Sequence, residues 1–336
     1  MTEKTLRIRT TSRLSFGLID MNGEIGRIEG GLGLALENPC VEIRARRAPT
    51  LSASGATELP ASIRRKFESV SASLRERYDI EGIEVFVEQT IPDHVGLGSG
   101  TQLALAFAQA FNLLYDLKLT THELSCLAER GGTSGIGCAS FDLGGFLCDG
   151  GHRFGGPGGK PGFAPSSAST DFPPAPILFH SLLPASWNVI LAIAEAGRLT
   201  HGEEECELFR TRAPMPGPEA AEAARLALLK VLPAVKEADL ESFSSGVEAM
   251  QKLGWKRMQL ERQNEVVHAT IAEMRRLGLR GVGMSSWGPT LFGFSEAGLE
   301  SDQATVRALE AFGAARGGIR VIMTRPAVRG SSCTWE

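Results

Sequence analysis

Residues 91–106, IPDHVGLGSGTQLALA, decide the reading of this chain. A proline closes an extended segment, three glycines and a serine fill the next turn, and a run of small and apolar residues starts a helix. The unpaired N–H groups of that first helical turn, with the positive end of the helix dipole behind them, make such a junction an anion seat. Gly96, Gly98 and Gly100 let an oxyanion approach the main chain, and the hydroxyls of Ser99 and Thr101 add donors. The same composition also suits a plain strand-to-helix turn, so the flanking sequence has to decide.

Downstream, residues 101–117 are apolar almost all round, with Leu103, Leu105, Phe107, Phe111, Leu113 and Leu114 on every face, as a central core helix requires. Thr120 with Glu123 is a capping box that opens a shorter helix ending near Arg130. Upstream, alternation at Leu6, Ile8 and Thr10, at Val41, Ile43 and Ala45, and at Ile83, Val85 and Val87 predicts three half-buried strands of an antiparallel or mixed sheet. Between the second and third, Ile63, Phe67, Val70, Leu74 and Tyr78 line one face of an amphipathic helix over 60–78.

Residues 131–162 hold 13 glycines in 32 positions, which predicts loops and short strands rather than helix. The proline-rich stretch 165–184 leads into a second half, with the boundary near Ala185. Beyond it we expect a strand over 188–195, helices over 218–232, 239–253 and 258–277, and strands over 290–294 and 319–324 flanking a helix over 301–312. The pattern is α+β, with domains over 1–185 and 186–336 and a cleft between them.

Composition bounds the function. The chain has 43% hydrophobic and 22% charged residues and a net charge of −4, which argues against nucleic acid as the main partner. No run of 18 apolar residues occurs and the N-terminus is polar, so neither a membrane partner nor secretion is expected, and the cytosol is the expected compartment. Six cysteines without a C-x-x-C pair predict reduced packing residues, not a zinc site or a disulfide framework.

The order Pro92, Gly96-Leu97-Gly98-Ser99 and then an apolar helix resembles the phosphate-binding motif of the GHMP superfamily of small-molecule kinases. That resemblance implies an N-terminal α+β domain like that of ribosomal protein S5, followed by a ferredoxin-like C-terminal domain. Residues 12–39, SRLSFGLIDMNGEIGRIEGGLGLALENP, look like the N-terminal signature of the β-ribofuranosylaminobenzene 5′-phosphate synthase family. Residues 130–152 (RGGTSGIGCASFDLGGFLCDGGH), 165–169 (PSSAS) and 281–294 (GVGMSSWGPTLFGF) resemble the same family in the same order. What this implies is a synthase with the GHMP fold that is not a kinase. It condenses phosphoribosyl diphosphate with 4-aminobenzoate or 4-hydroxybenzoate, releasing CO2 and diphosphate at the start of methanopterin synthesis, with Mg²⁺ and as a homodimer. The alternative is an ATP-dependent kinase. The kinases usually carry an acid in a segment like S-G-x-D, where this chain has Ser134-Gly135-Ile136-Gly137; glycine accepts no proton, and Asp142 is the acid nearest in sequence.

Arg13 and Arg27 suit a phosphate or carboxylate, and Asp20 and Glu29 suit Mg²⁺ or ribose hydroxyls, although all four residue types also form ordinary surface ion pairs. Their setting among Gly23, Gly26, Gly30 and Gly31 favours a shaped loop. His152 either binds phosphate or moves a proton, or else is a satisfied structural donor. At Ser285, Ser286 and Trp287 the hydroxyls are set to donate to oxyanions and the indole either stacks on an aromatic substrate or fills a strand turn. Glu203, Glu204 and Glu205 are consecutive and cannot converge on one ion; they read as a solvated helix start.

Overall fold

The computed structural model describes residues 4–336. The three alternating segments form one sheet, in the order Ser332–Trp335, Leu6–Arg9, Glu42–Ala48, Gly82–Gln89, Ser52–Gly55. All its pairs are antiparallel except the last. Ile8 lies opposite Ile43 and Ala45 opposite Val85, so their side chains share the buried face. The helices Ala61–Arg77 and Ser99–Leu114 pack together at this sheet, with the rings of Phe67 and Phe107 edge-to-face at 5.2 Å. The all-round apolar sequence of the second helix is explained by its position, since Ala104, Leu105, Phe107 and Phe111 are wholly buried.

Residues 12–39 are not a loop. Ser12–Asp20 and Arg27–Leu36 make a long antiparallel hairpin that continues through Phe146–Asp149 to Ile177–Ser181. One glycine in it serves close packing: a Cβ at Gly33 would stand 2.2 Å from Ile136 Cγ2. That isoleucine begins the helix Ile136–Asp142, which lies inside the glycine-rich stretch where loops and strands were expected. The rest of the stretch is the expected loops and short strands, Phe146–Asp149 and His152–Arg153.

The third sheet has the order Arg280–Met284, Thr290–Ser295, Asn188–Ala194, Ile319–Thr324, antiparallel throughout. Helices Glu265–Arg276 and Leu299–Ala314 pack against it, which gives a ferredoxin-like arrangement. The long helix expected over 258–277 is two, Gly254–Glu261 and Glu265–Arg276, because Asn264 breaks the run and caps the second through its side chain and the Val267 N–H.

Contacts cross the boundary expected near Ala185. The final strand, Ser332–Trp335, leaves the C-terminal half and pairs with Leu6–Arg9. Phe16, from the N-terminal half, meets Phe146 at 5.9 Å from its own sheet, and Phe292 at 5.1 Å and Phe243 at 6.1 Å from the C-terminal half. Phe16→Ala is therefore expected to cost about 3–5 kcal/mol. Urea unfolding should show one cooperative transition at lower midpoint, whereas separate transitions for two halves would contradict a shared core.

Candidate active site

The strand Gly82–Gln89 delivers the chain to the glycine loop, and Gly98, at φ 81°, turns it into the helix Ser99–Leu114. The carbonyl of Gly96 accepts two hydrogen bonds, from Arg13 Nη1 at 2.7 Å and from the Ser285 hydroxyl at 2.7 Å. The Arg13 N–H donates to the Leu97 carbonyl at 3.1 Å, and the Ser15 N–H to Ser285 Oγ at 3.0 Å. The loop is thus held from the N-terminal strand and from the C-terminal half at once.

Gly96, Gly98, Ser99, Gly100 and Thr101 all line a cavity of about 380 Å³. Their glycines have different reasons. A Cβ at Gly96 would stand 2.3 Å from the Ser285 carbonyl oxygen, so this glycine answers to packing. A Cβ at Gly100 would meet only Lys66 Nζ, at 3.9 Å, so this is the position with open space for an anion.

Cations surround that seat. Lys66, Arg13 and Arg130 line the cavity, and Lys256 is buried beside Arg13. Burial pulls the Lys66 ammonium down to about 8, with the neighbouring charge of Arg130 adding to it. Burial likewise lowers Arg13 to about 10, partly offset by Glu205, and lowers Arg130. Lys66 makes no hydrogen bond or ion pair among the described residues, and Arg130 Nε has no partner. Half-buried positive charge without a direct ion pair, offset only at a distance by Asp93 and Glu129, is poised for an anionic ligand. Lys66 drew no reading from the sequence, and Arg130 stood only at the end of a helix and the start of the segment 130–152, because the lack of a partner is a tertiary property.

Of the C-terminal candidates, Ser286 and Trp287 line the cavity, while Ser285 is buried and its hydroxyl is engaged by Gly96 and Ser15. Trp287, Trp255 and Phe209 form an aromatic wall, with centroids of 4.6 Å for Phe209–Trp255 and 5.7 Å for Trp255–Trp287. The three glutamates at the start of the helix Gly202–Arg212 do not behave alike. Glu203 is exposed, but Glu205 turns into the cavity and accepts the Trp287 indole N–H at 2.8 Å.

Four expected catalytic residues lie elsewhere. Asp20 accepts the N–H groups of Asn22 at 2.7 Å and Gly23 at 3.1 Å and closes the hairpin turn. Arg27 donates to the carbonyls of Gly150 and Gly151. Glu29, 1% exposed, has one oxygen on His152 and the other on Lys160, and the second ring nitrogen of His152 faces the Pro173 carbonyl. None of the four lines the cavity; Arg27, Glu29 and His152 fasten the hairpin to the segments behind it, and Asp20 acts within the hairpin's own turn. Both oxygens of Glu29 are taken by its buried partners, whereas Asp20 spends only Oδ1 on the turn, outside the cavity. No group of three or more His, Cys, Asp or Glu side chains among the described residues is placed to hold a metal ion. The carboxylate that does reach the loop is Asp93, which accepts the Ser99 hydroxyl at 2.8 Å and lines the cavity.

Asp142 is exposed, accepts the Thr121 hydroxyl and does not face the cavity. At Gly137 a Cβ would come within 3.2 Å of Thr101 Cγ2, so the threonine of the loop stands close to where an acid at this position would project. Asp149, unnoticed in the sequence, is buried and accepts from the N–H groups of Gly135 and Gly151 and from the Ser134 hydroxyl, which fixes the Ser134 wall; burial raises its carboxyl to about 6.

Fold and loop together define a GHMP-kinase-like protein, and the family described as GHMP kinases N terminal domain matches residues 65–150. Solved structures agree in fold: homoserine kinase from Cytophaga hutchinsonii at TM-score 0.68 and 16% identity, covering 99% of this chain and 98% of that one. Mevalonate diphosphate decarboxylase from Staphylococcus aureus follows at 0.62 and 15%, covering 98% of each. The chain belongs to the family of beta-ribofuranosylphenol 5'-phosphate synthases. It is 41% identical over 304 residues to that protein of Archaeoglobus fulgidus, spanning 90% of this chain and 91% of the relative. The counterpart in Methanocaldococcus jannaschii is 37% identical over 88% of this chain and 92% of its own.

The different roles of the glycines are separable. Gly96→Ala should lower the melting temperature, because its φ of 87° and the Ser285 carbonyl both oppose a methyl group. Gly100→Ala should melt like the parent yet bind inorganic diphosphate more weakly, read by calorimetry. Lys66 predicts a pH limb as well. Its pKa is depressed to about 8, so its charge is present below that pH and lost above it. Diphosphate affinity relative to Lys66→Met should therefore be highest below pH 8 and converge with the variant above it.

Proposed function

We propose that this protein joins phosphoribosyl diphosphate to a para-substituted benzoate, forming a bond between C1 of the ribose and the ring carbon that bears the carboxylate, with loss of CO2 and diphosphate. The observation that carries the reading is one cavity that holds both an anion seat with unpaired cations and an aromatic wall. The relatives' name specifies a ribofuranosylphenol phosphate, which favours 4-hydroxybenzoate over 4-aminobenzoate as acceptor.

In this reading the start of the helix Ser99–Leu114, Lys66 and Arg130 receive the diphosphate, and stabilise its charge as the bond to C1 of the ribose lengthens. Mg²⁺ needs only one or two carboxylates when it rides on a diphosphate, and Asp93 with the Ser99 hydroxyl suits that role; the ion would neutralise charge on the leaving group. Trp287, Trp255 and Phe209 hold the ring face toward the sugar carbon. An oxocarbenium-like centre develops, the ring carbon attacks it, and CO2 departs to restore aromaticity. No protein nucleophile is required.

The kinase reading loses its base, since Gly137 packs on Thr101 and Asp142 faces away. No helix among the described residues is long and apolar enough to cross a membrane. The proposal places the reaction in the cytosol, in methanopterin synthesis and in a homodimer, on the family resemblance.

Incubation with phosphoribosyl diphosphate, Mg²⁺ and 4-hydroxybenzoate should release CO2 and diphosphate in equal amounts. Unsubstituted benzoate, which lacks the electron-donating para group, should bind yet turn over orders of magnitude more slowly; each ~1.4 kcal/mol of lost transition-state stabilisation is about tenfold in rate. Diphosphate without CO2, or phosphorylated product from ATP and small alcohols, would overturn the reading.

A further inference from the structure

Glu205 is the one carboxylate of its helix start that is turned inward. Glu204 beside it is taken by Arg198 and Arg262 at the surface, and Glu203 is exposed. One oxygen of Glu205 is oriented by the Trp287 indole, and Trp287 is itself held by Gln263, which donates to its carbonyl at 2.9 Å, and by the edge of Trp255. The other oxygen has no hydrogen-bond partner among the described residues. The carboxylate therefore sits in the aromatic wall of the cavity, fixed in place, with one acceptor unused.

From this geometry we propose that Glu205 is a catalytic base that takes the proton of the acceptor's para-hydroxyl while the ring lies against Trp287. The proposal rests on the function proposed above and adds a residue and a proton path to it. A neutral phenol is a weak carbon nucleophile, and its phenolate a far stronger one at the para carbon. The O–H proton passes to Glu205. The oxygen lone pair moves through the ring, the para carbon bonds to C1 of the ribose, and diphosphate leaves with the electron pair of the broken C–O bond. The C–CO2 bond then breaks, its electron pair restores the aromatic ring and the charge on oxygen, and Glu205 returns the proton. The residue ends as it began.

The environment suits the task. Burial raises the carboxyl to about 7, against the opposing effects of the indole hydrogen bond and the Arg13 charge. An ordinary surface carboxylate would be a much weaker base toward a phenol, and matching near the working pH favours proton transfer. The charged and titratable groups that share the cavity with Glu205 are Arg13 from the strand Ser12–Asp20, Lys66, Asp93, His94 and Arg130 around the glycine loop, and His201 just before its own helix, while Lys256 from the helix Gly254–Glu261 is buried beside Arg13. Of these, Arg13 is the charge that acts on Glu205, and Lys256 acts on Arg13. An amine donates its lone pair without losing a proton, so 4-aminobenzoate does not need this base.

The test compares both acids in the parent and in Glu205→Gln, with kcat followed from pH 5 to 9. Parent protein should turn over 4-hydroxybenzoate with an acid limb near pH 7, because activity falls as the base is protonated; absence of turnover with either acid would overturn the parent reading and this proposal together. Glu205→Gln should lose about 10²–10⁴-fold in kcat with the hydroxy acid and lose the limb, a range typical of a removed general base. Its rate with the amino acid should stay within several-fold of the parent's. Equal losses on both acids, or a limb that persists in the variant, would show that Glu205 only supports Trp287. Trp287→Phe gives an independent reading if the first variant folds poorly: loss of the indole hydrogen bond should move the hydroxy-acid limb to higher pH, and an unmoved limb would refute the assignment.

Discussion

The carbonyl of Gly96 is the point on which the site depends. It accepts from Arg13, on the second strand of the chain, and from Ser285, near the end of the third sheet, so a single acceptor ties the anion loop to both halves. The peptide N–H groups at the helix start are useful only if the loop before them is fixed, and a loop fastened from one side alone would be free to tilt. The same requirement excludes a side chain at Gly96, where the Ser285 carbonyl occupies the space. The aromatic cluster around Phe16 provides the rigid base for this connection, and the return of the last strand to the first sheet closes the chain on itself.

Charge is distributed unevenly about that point. Behind the hairpin, Glu29 is saturated by Lys160 and His152, and Asp149 by two backbone N–H groups and a serine, so buried charge there is matched. Within the cavity, Lys66 and Arg130 are left without ion-pair partners. An unmatched, partly desolvated cation costs stability unless a ligand supplies the counter-charge. The contrast separates two kinds of group: paired ones hold the scaffold, and unpaired ones line the cavity. Glu205 belongs with the second kind, since one of its oxygens is fixed and the other free.

Much of the scaffold and part of the site were legible in the sequence. Alternation at Leu6, Ile8, Ile43, Ala45, Ile83 and Val85, the all-round apolar helix after the glycine loop, and the capping box at Thr120 and Glu123 are local patterns, and local patterns report which face of an element is buried. The loop itself was legible for the same reason, since a helix start with small residues before it is a property of a dozen consecutive positions. What only the tertiary structure decided was the use of each charged side chain. Arg27, Glu29 and His152 carry the chemistry of a site in their residue types, yet backbone carbonyls and one another take it up, and Asp20 spends one oxygen on a turn away from the cavity. Lys66, Arg130 and Glu205 carry no motif, and become distinctive because folding removes their water without providing full partners. Hydrophobic periodicity is written along the chain, whereas desolvation and the presence or absence of a counter-charge exist only between residues that the fold brings together.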